Sequence, residues 1–287
     1  MNITLFLDAH VHLYPFYDLA AAFAAAFRAM PRRNARDLRA LLLADREGMD
    51  TYRKLATDEL SPPPGWKITA FDPEGALRLH EGATGRPLWL FAGRQHATRE
   101  RLELCTLFAY PDIPDGTGAE ETLQEILRTP GALAAVNWAP GKWLGRRGKL
   151  LRKLLEANGP EKLILIDTSL RPVGWPEGSV FRRAKAEGRA ILAGSDPLAA
   201  KSEEGMPGKY RVRLPLALPD EPVGDAESEE SDASLVPALR AAVLAGKGIV
   251  REGARESVFS LRRRLKAHRL SNHGYINCIY FKIKIES

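Results

Sequence analysis

Short apolar runs alternate with helical patterns along most of the chain. Ile3 to Leu7 reads as a first strand, Asp18 to Met30 as a helix, Leu38 to Leu43 as a second strand and Met49 to Leu55 as a second helix. This is the β-α rhythm of a parallel sheet. It breaks between Gly65 and Tyr110, where Trp66 to Phe71, Ala76 to His80, Pro87 to Phe91 and Leu102 to Phe108 are separated by Asp-Pro, Gly and polar turns. That stretch reads as strands and hairpins. The alternation then resumes with helix Glu120 to Arg128, strand Ala132 to Val136, helix Arg147 to Ala157, strand Leu163 to Ile166, helix Ser179 to Glu187 and strand Ala190 to Ala193. Polar residues follow nearly every strand: Asp8, His10, Asp45, Gln95, Asn137, Asp167, Ser195 and Asp196. In a barrel they would ring one mouth, where loops vary over a rigid base; taken singly, each would equally well cap its strand.

The 287 residues, 45% of them hydrophobic, are ordinary globular composition, which excludes wholesale disorder and a disulfide scaffold. A single α/β barrel commonly runs to about 250 residues, so length alone does not impose two domains. The 42 Lys and Arg exceed the 36 Asp and Glu by six, a modest surplus that favours anionic ligands in general. Nucleic acid is not the expected partner: Arg262-Arg263-Arg264-Leu265-Lys266 is basic, but no aromatics are interleaved with it. Cys105 and Cys278 form no CxxC pair and require no oxidising compartment. The start, Asn2 to Leu7, reads as a strand and not as a signal peptide. The apolar run Leu19 to Met30 contains Arg28 and falls short of the ~20 residues of a bilayer span. The expectation is a cytoplasmic protein without membrane contact.

The sharpest local signal is Asp8-Ala9-His10-Val11-His12, directly after the first strand. Imidazoles two apart on an extended chain point to the same side, so both can reach one metal ion; the other reading is a pair of structural or surface histidines. Zinc and its relatives want three or four ligands, so further donors must come from other strands. Asp196, in Gly194-Ser195-Asp196-Pro197, is the best carboxylate candidate, though the same residue before Pro also suits an Asx turn. Asn137 to Lys149 is rich in Gly, Trp and cations. It reads either as an anion-binding loop using Lys142, Arg146 and Arg147, with Trp138 or Trp143 as a stacking face, or as the basic start of the next helix. Asp167 could orient Lys142 or act as a base, while His80 and His96 read as structural or exposed.

In order and spacing these motifs resemble the polymerase and histidinol phosphatase (PHP) superfamily. The resemblance implies a distorted (β/α)7 TIM-like barrel with a β-hairpin insertion, and a cluster of up to three metals that hydrolyses phosphate esters. It covers roughly residues 3 to 215. His10 and His12 stand where the family has its first H-x-H, and Asp196 stands in its closing Gly-Ser-Asp. Elsewhere the ligand set departs from the family: Asp45 is kept but Arg46 replaces a His, and Gln95 replaces a bridging Glu. Glu103 falls at a hairpin His, and Asn137 and Leu198 replace two more. The resemblance therefore implies one divalent ion (Zn, Mn or Fe) on His10, His12 and Asp196 with Gln95 as an oxygen donor, acting on a small anionic phosphoester. Asp45, Arg46, Lys142 and Asp167 are the candidate catalytic residues, and Lys142 and Arg146 the anion-binding ones. Arg46 would either clamp an anion bidentately or pair with Glu47 or Glu103. The rival to a hydrolase is a catalytically silent barrel that binds an anionic ligand or a protein partner.

The motif order favours one barrel over residues 1–215. After it come an acidic, exposed loop at 216–233, a helical segment at 234–270, and an atypical tail at 271–287 that reads as a read-through or cloning scar. In the tail, Ile279, Phe281, Ile283 and Ile285 alternate with Lys282 and Lys284 in a β pattern. Truncation after Leu270 is expected to leave a soluble, folded core; loss of soluble protein on expression would contradict the division.

Overall fold

A computed structural model describes residues 2–30, 34, 37–72, 75–82, 85, 87–217 and 235–283. The acidic segment expected to be an exposed loop lies almost wholly outside them. In chain order the elements are β1 (Asn2–Val11), α1 (Leu19–Ala29), β2 (Leu38–Leu43), α2 (Thr51–Ala56), β3 (Trp66–Asp72), β4 (Ala76–Glu81), β5 (Pro87–Phe91), β6 (Gly93–Ala97) and β7 (Glu103–Leu107). They continue with α3 (Ala119–Arg128), β8 (Leu133–Asn137), α4 (Gly145–Ala157), β9 (Leu163–Thr168), α5 (Ser179–Ala186), β10 (Ile191–Gly194), a 3-10 turn (Lys201–Glu203), β11 (Tyr210–Ala217), α6 (Leu235–Ala245), β12 (Val250–Gly253) and α7 (Val258–Ile283). No helix among the described residues is long and apolar enough to cross a membrane.

The strands form two mixed sheets, of order β12-β11-β1-β2-β5-β4-β3 and β10-β9-β8-β7-β6. β1–β2, β2–β5, β8–β9 and β9–β10 pair in parallel and the other neighbours antiparallel. The sheets meet at two seams. At one, Asp196 N–H donates to the His10 carbonyl; at the other, Asp45 N–H donates to the Gly93 carbonyl and the Asp45 carbonyl accepts from Gln95 N–H. Between the sheets lies one apolar core drawn from both, including Leu5, Leu7, Ala9, Ala40, Leu42, Leu107, Ala135, Ile164, Ile166, Leu192 and Val212. Outside, α1 and α2 cover β1, β2 and β5, and α3, α4 and α5 cover β7 to β10. Burial on both faces is why β8 and β9 read as apolar runs without alternation.

Two features differ from the sequence reading. β6, β11 and β12 were not anticipated, although Tyr210 to Ala217 alternates buried with less buried positions along β11. In the tail, Ile279 to Ile283 is helical and continues α7. A strand needs a neighbour to complete its hydrogen bonds, and the alternating pattern alone supplies none.

One irregularity positions the site. Asp8 stands opposite Leu41 and Val11 opposite Leu43, so β1 has one extra residue there, a β-bulge. Before it, Leu5, Leu7 and Ala9 face the inter-sheet core and Phe6 faces α1; after it, Val11 and Leu13 face α1 and the even positions turn inward. The bulge is therefore what aims His10 and His12 between the sheets. The buried Asp8 carboxylate holds it, accepting from His10 N–H (3.3 Å), Ser195 N–H (2.8 Å) and Gly208 N–H (2.7 Å). Burial pushes the Asp8 carboxyl up to about 7 despite those three hydrogen bonds.

Close approach of β10 to the bulge requires glycine at 194, where a Cβ would stand 2.4 Å from His10 Cβ and 2.6 Å from His10 N. Gly194→Ala is expected to cost about 2 kcal/mol or more, because the conflict involves backbone that cannot rotate away. Chemical denaturation of variant and wild type measures it, and an unchanged midpoint would refute the account.

Candidate metal centre

His10 stands in the bulge of β1 and His12 directly after the strand, while Asp196 lies in the loop after β10 with φ of 48°. His10 Nε2 lies 3.2 Å from His12 Nε2, and Asp196 Oδ1 lies 3.8 Å from the former and 3.6 Å from the latter. Donors about 2.0–2.1 Å from a tetrahedral zinc stand about 3.3 Å apart, so this triangle has the size of one face of a tetrahedral shell. Two imidazoles and a carboxylate are a donor set suited to a divalent transition ion, and three protein ligands leave a position open. Among the described residues no other group of three His, Cys, Asp or Glu converges as closely.

All three donors are buried, and their electrostatics follow. Burial holds His10 down to about 4, and burial reinforced by His10 and Arg46 holds His12 well below the usual imidazole range. Both rings are therefore neutral at pH 7, the form in which an imidazole takes a cation. Burial, with the nearby Glu103 charge, pushes Asp196 up to about 8 against the opposing pull of Arg264. A cation at the triangle would displace that proton.

Other side chains close around the triangle. Gln95 hydrogen-bonds to His10 through its side chain. Arg46 lies beside Tyr14 and His12: it hydrogen-bonds to the Tyr14 side chain, and its charge reaches both rings. Glu103 Oε1 pairs with Lys142 Nζ at 3.2 Å, and Oε2 accepts from Asn137 Nδ2 at 3.3 Å. Cys105, two positions along β7, places Sγ 3.7 Å from His10 Nδ1 and 3.8 Å from Asn137 Oδ1. Burial raises its thiol well above the ordinary range, so it packs as a neutral group. Tyr14 and Cys105 were missed as neighbours of the site. The signal for each is spacing: Tyr14 continues His10 and His12 by two, and Cys105 follows Glu103 by two.

The remaining candidates stand elsewhere. Asp45 Oδ2 accepts from Tyr52 N–H (2.8 Å) and the Tyr110 hydroxyl (2.9 Å), which ties the end of β2 to α2. Asp167 does not meet Lys142. It takes a two-pronged pair from Arg171 at 2.6 Å and accepts at 2.8 Å from both the Tyr210 hydroxyl and Arg251 Nη1. Arg146 is exposed in the first turn of α4. Trp138 and Trp143 offer no stacking face. Both are buried under α4 and α5, with Trp143 against Phe181 and its Nε1 donating to the Asn137 carbonyl, because the glycines of this loop fold it back on the core. Leu198 is buried, and its carbonyl accepts from the Tyr17 hydroxyl. His80 lies on β4 with Nδ1 3.2 Å from the Gly85 carbonyl. Arg264, within the basic run Arg262 to Lys266, is buried. It pairs with Glu203 at 2.7 Å and donates to the Asp196 carbonyl and the Ser169 hydroxyl, so that α7 is pinned over the triangle.

The sequence matches no protein-family model and no curated protein. In fold the chain is similar to the crystal structure of PsfC from Pseudomonas syringae PB-5123, with a TM-score of 0.53 and 14% identity over 94% of this chain and 98% of that one. A looser likeness, at a TM-score of 0.49 and 13% identity, extends to the lesion-specific endonuclease EndoQ from Pyrococcus furiosus; it covers 88% of this chain and 59% of that one. A complex of Endonuclease Q with a 27-mer duplex carrying an abasic lesion gives 0.49 and 12% identity.

His96, adjacent to Gln95, points away from the triangle: its Nε2 lies 2.9 Å from Thr106 Oγ1 and its Nδ1 3.3 Å from the Ile113 carbonyl. Burial holds it down to about 4 from 6.5. The unfolded chain thus accepts a proton below pH 6.5 that the folded chain refuses until near pH 4, and stability falls as pH drops through that window. Denaturation at pH 7 and pH 4.5 is expected to show a His96→Gln variant losing less stability than wild type on acidification, by up to about 3 kcal/mol. Equal losses in both proteins would refute it.

Proposed function

We propose that the chain is a PHP-like metal-dependent hydrolase acting on a phosphoester, with one divalent ion, Zn, Mn or Fe, on His10, His12 and Asp196. The observation that carries this is the donor triangle: three buried donors, two from β1 and its end and one from the loop after β10, at separations of 3.2, 3.6 and 3.8 Å. The distorted (β/α)7 barrel of that superfamily is supported by the two seams, which would order the strands β1, β2, β5–β6, β7, β8, β9, β10 around a ring with β5 and β6 taken as one strand bent at Ala92. The triangle stands at the carboxyl ends of its strands, where such barrels carry their chemistry.

A divalent cation held there would supply Lewis acidity. The protein's own groups have separable tasks. His10 and His12, neutral by burial, hold the ion, and Gln95 fixes the His10 ring. Arg46 beside Tyr14, and Lys142 released from Glu103, bind the anionic substrate and stabilise charge that develops on it. Arg46 stands where a further metal would need a ligand, so one ion and one guanidinium share the role of a larger cluster. The rival, a silent barrel that binds an anion or a protein, is favoured by one observation: Arg264 pins α7 across the site, which leaves His10, His12 and Asp196 at 0, 3 and 5% exposure.

Metal analysis of untagged protein separates the two. About one equivalent is expected in wild type and under about 0.2 in the His10→Ala, His12→Ala double variant. Turnover of a phosphomonoester and phosphodiester panel is expected to vanish with Asp196→Ala. A wild type with no metal, or with metal that the double variant retains, would sink the reading.

A further inference from the structure

A cavity lies on the flank of the fold, away from the metal triangle. It is a groove of about 710 Å³ between α5, the turn into β10, the start of β11, β12 and the loop after β9, and none of the three metal-site donors lines it. Its volume is that of a small-molecule site. Arg171, Lys185, Arg189, Arg251 and Arg255 line it, with Glu177 as the acidic residue among the lining groups.

The charges do not balance. Asp167, behind the groove, is shared by Arg171 and Arg251. Glu177 is shared by Arg251 and, at 2.6 Å, Lys185. Three cations therefore face two carboxylates, before Arg255 is counted; Arg189 has a carboxylate of its own in Glu187. Burial would raise Glu177, yet hydrogen bonds from Lys185 and Arg251 outweigh it and take the carboxyl to about 2. Arg189 is buried, with its Nη groups on the carbonyls of Leu155, Asn158, Gly159 and Leu163 and on Glu187, and its Nε has no acceptor. Arg255 Nη1 is likewise buried without an acceptor. A buried guanidinium N–H left without an acceptor costs free energy that an oxyanion would recover. At the rim Trp175 is half exposed, presenting an aromatic face beside the cations.

We propose that this groove binds a phosphorylated small molecule with a planar ring, its phosphate on Arg255 beside Lys185, and its ring on Trp175. Guanidinium forks match phosphate oxygens, and an exposed indole stacks on any planar base. The site shares no donor with the metal triangle, so occupancy of one does not require the other.

Calorimetric titration with adenosine monophosphate, inorganic phosphate and adenosine tests the assignment. The monophosphate is expected to bind, with phosphate weaker and adenosine weakest. Trp175→Ala and Arg255→Ala are each expected to weaken monophosphate binding about tenfold, the equivalent of one stacked ring or one charge-assisted hydrogen bond. Lys185→Ala, at an exposed position that does not threaten the fold, is expected to weaken phosphate and monophosphate alike. The His10→Ala, His12→Ala protein is expected to bind as wild type does. Absence of monophosphate and phosphate binding at millimolar concentration, affinity unchanged in the Trp175, Arg255 and Lys185 variants, or binding lost only in the double histidine variant would each overturn the proposal.

Discussion

The buried carboxylate of Asp8 is the interaction on which the site depends. A β-bulge leaves backbone amides without their ladder partners, and a buried amide lacking an acceptor costs about 1–3 kcal/mol. Asp8 supplies acceptors to the bulge itself at His10 and to the chain at Ser195 and Gly208. One side chain thereby fixes the turn of β1 that aims the two imidazoles and the approach of the segment that carries Asp196. The glycine at 194 is the other half of the arrangement, since only a residue without Cβ lets β10 come so near His10.

Much of the layered fold was legible in the sequence, because strands buried on both faces and helices with one apolar stripe write different periods. The histidine pair was legible from its spacing. The bulge was also written there, as a change of parity: Leu5 and Leu7 are odd, His10 and His12 even, yet both sets face inward. What could not be read was the choice of partner for each charge. Asp167 and Arg171 are four apart, but nothing local says that Arg251, 84 residues on, completes the pair. Arg264 reads as one of three consecutive cations, and only packing separates it from Arg262 and Arg263, which are exposed. Likewise, Trp143 in a glycine-rich loop looks available to a ligand until α5 is seen to cover it.

The Arg264–Glu203 pair shows how the appended helix is joined to the body. Both groups are buried, so the pair must satisfy its donors and acceptors locally or destabilise the interface. It does so with Ser169 and the Asp196 carbonyl, and the helix is tied to the backbone of a metal-site donor and not merely to the surface around it. Movement of α7 and the setting of Asp196 are mechanically linked by that contact.

The Asp8 contacts span 187 and 200 residues of sequence. Contacts of such separation are slow to form because they close large loops of chain. The helices and hairpins of the body can take shape while its two ends are still apart, but the donor triangle exists only once they have met. Occupancy by an ion would then report on completion of the topology itself, and a chain halted short of that closure would hold nearly all its secondary structure with no site to show for it.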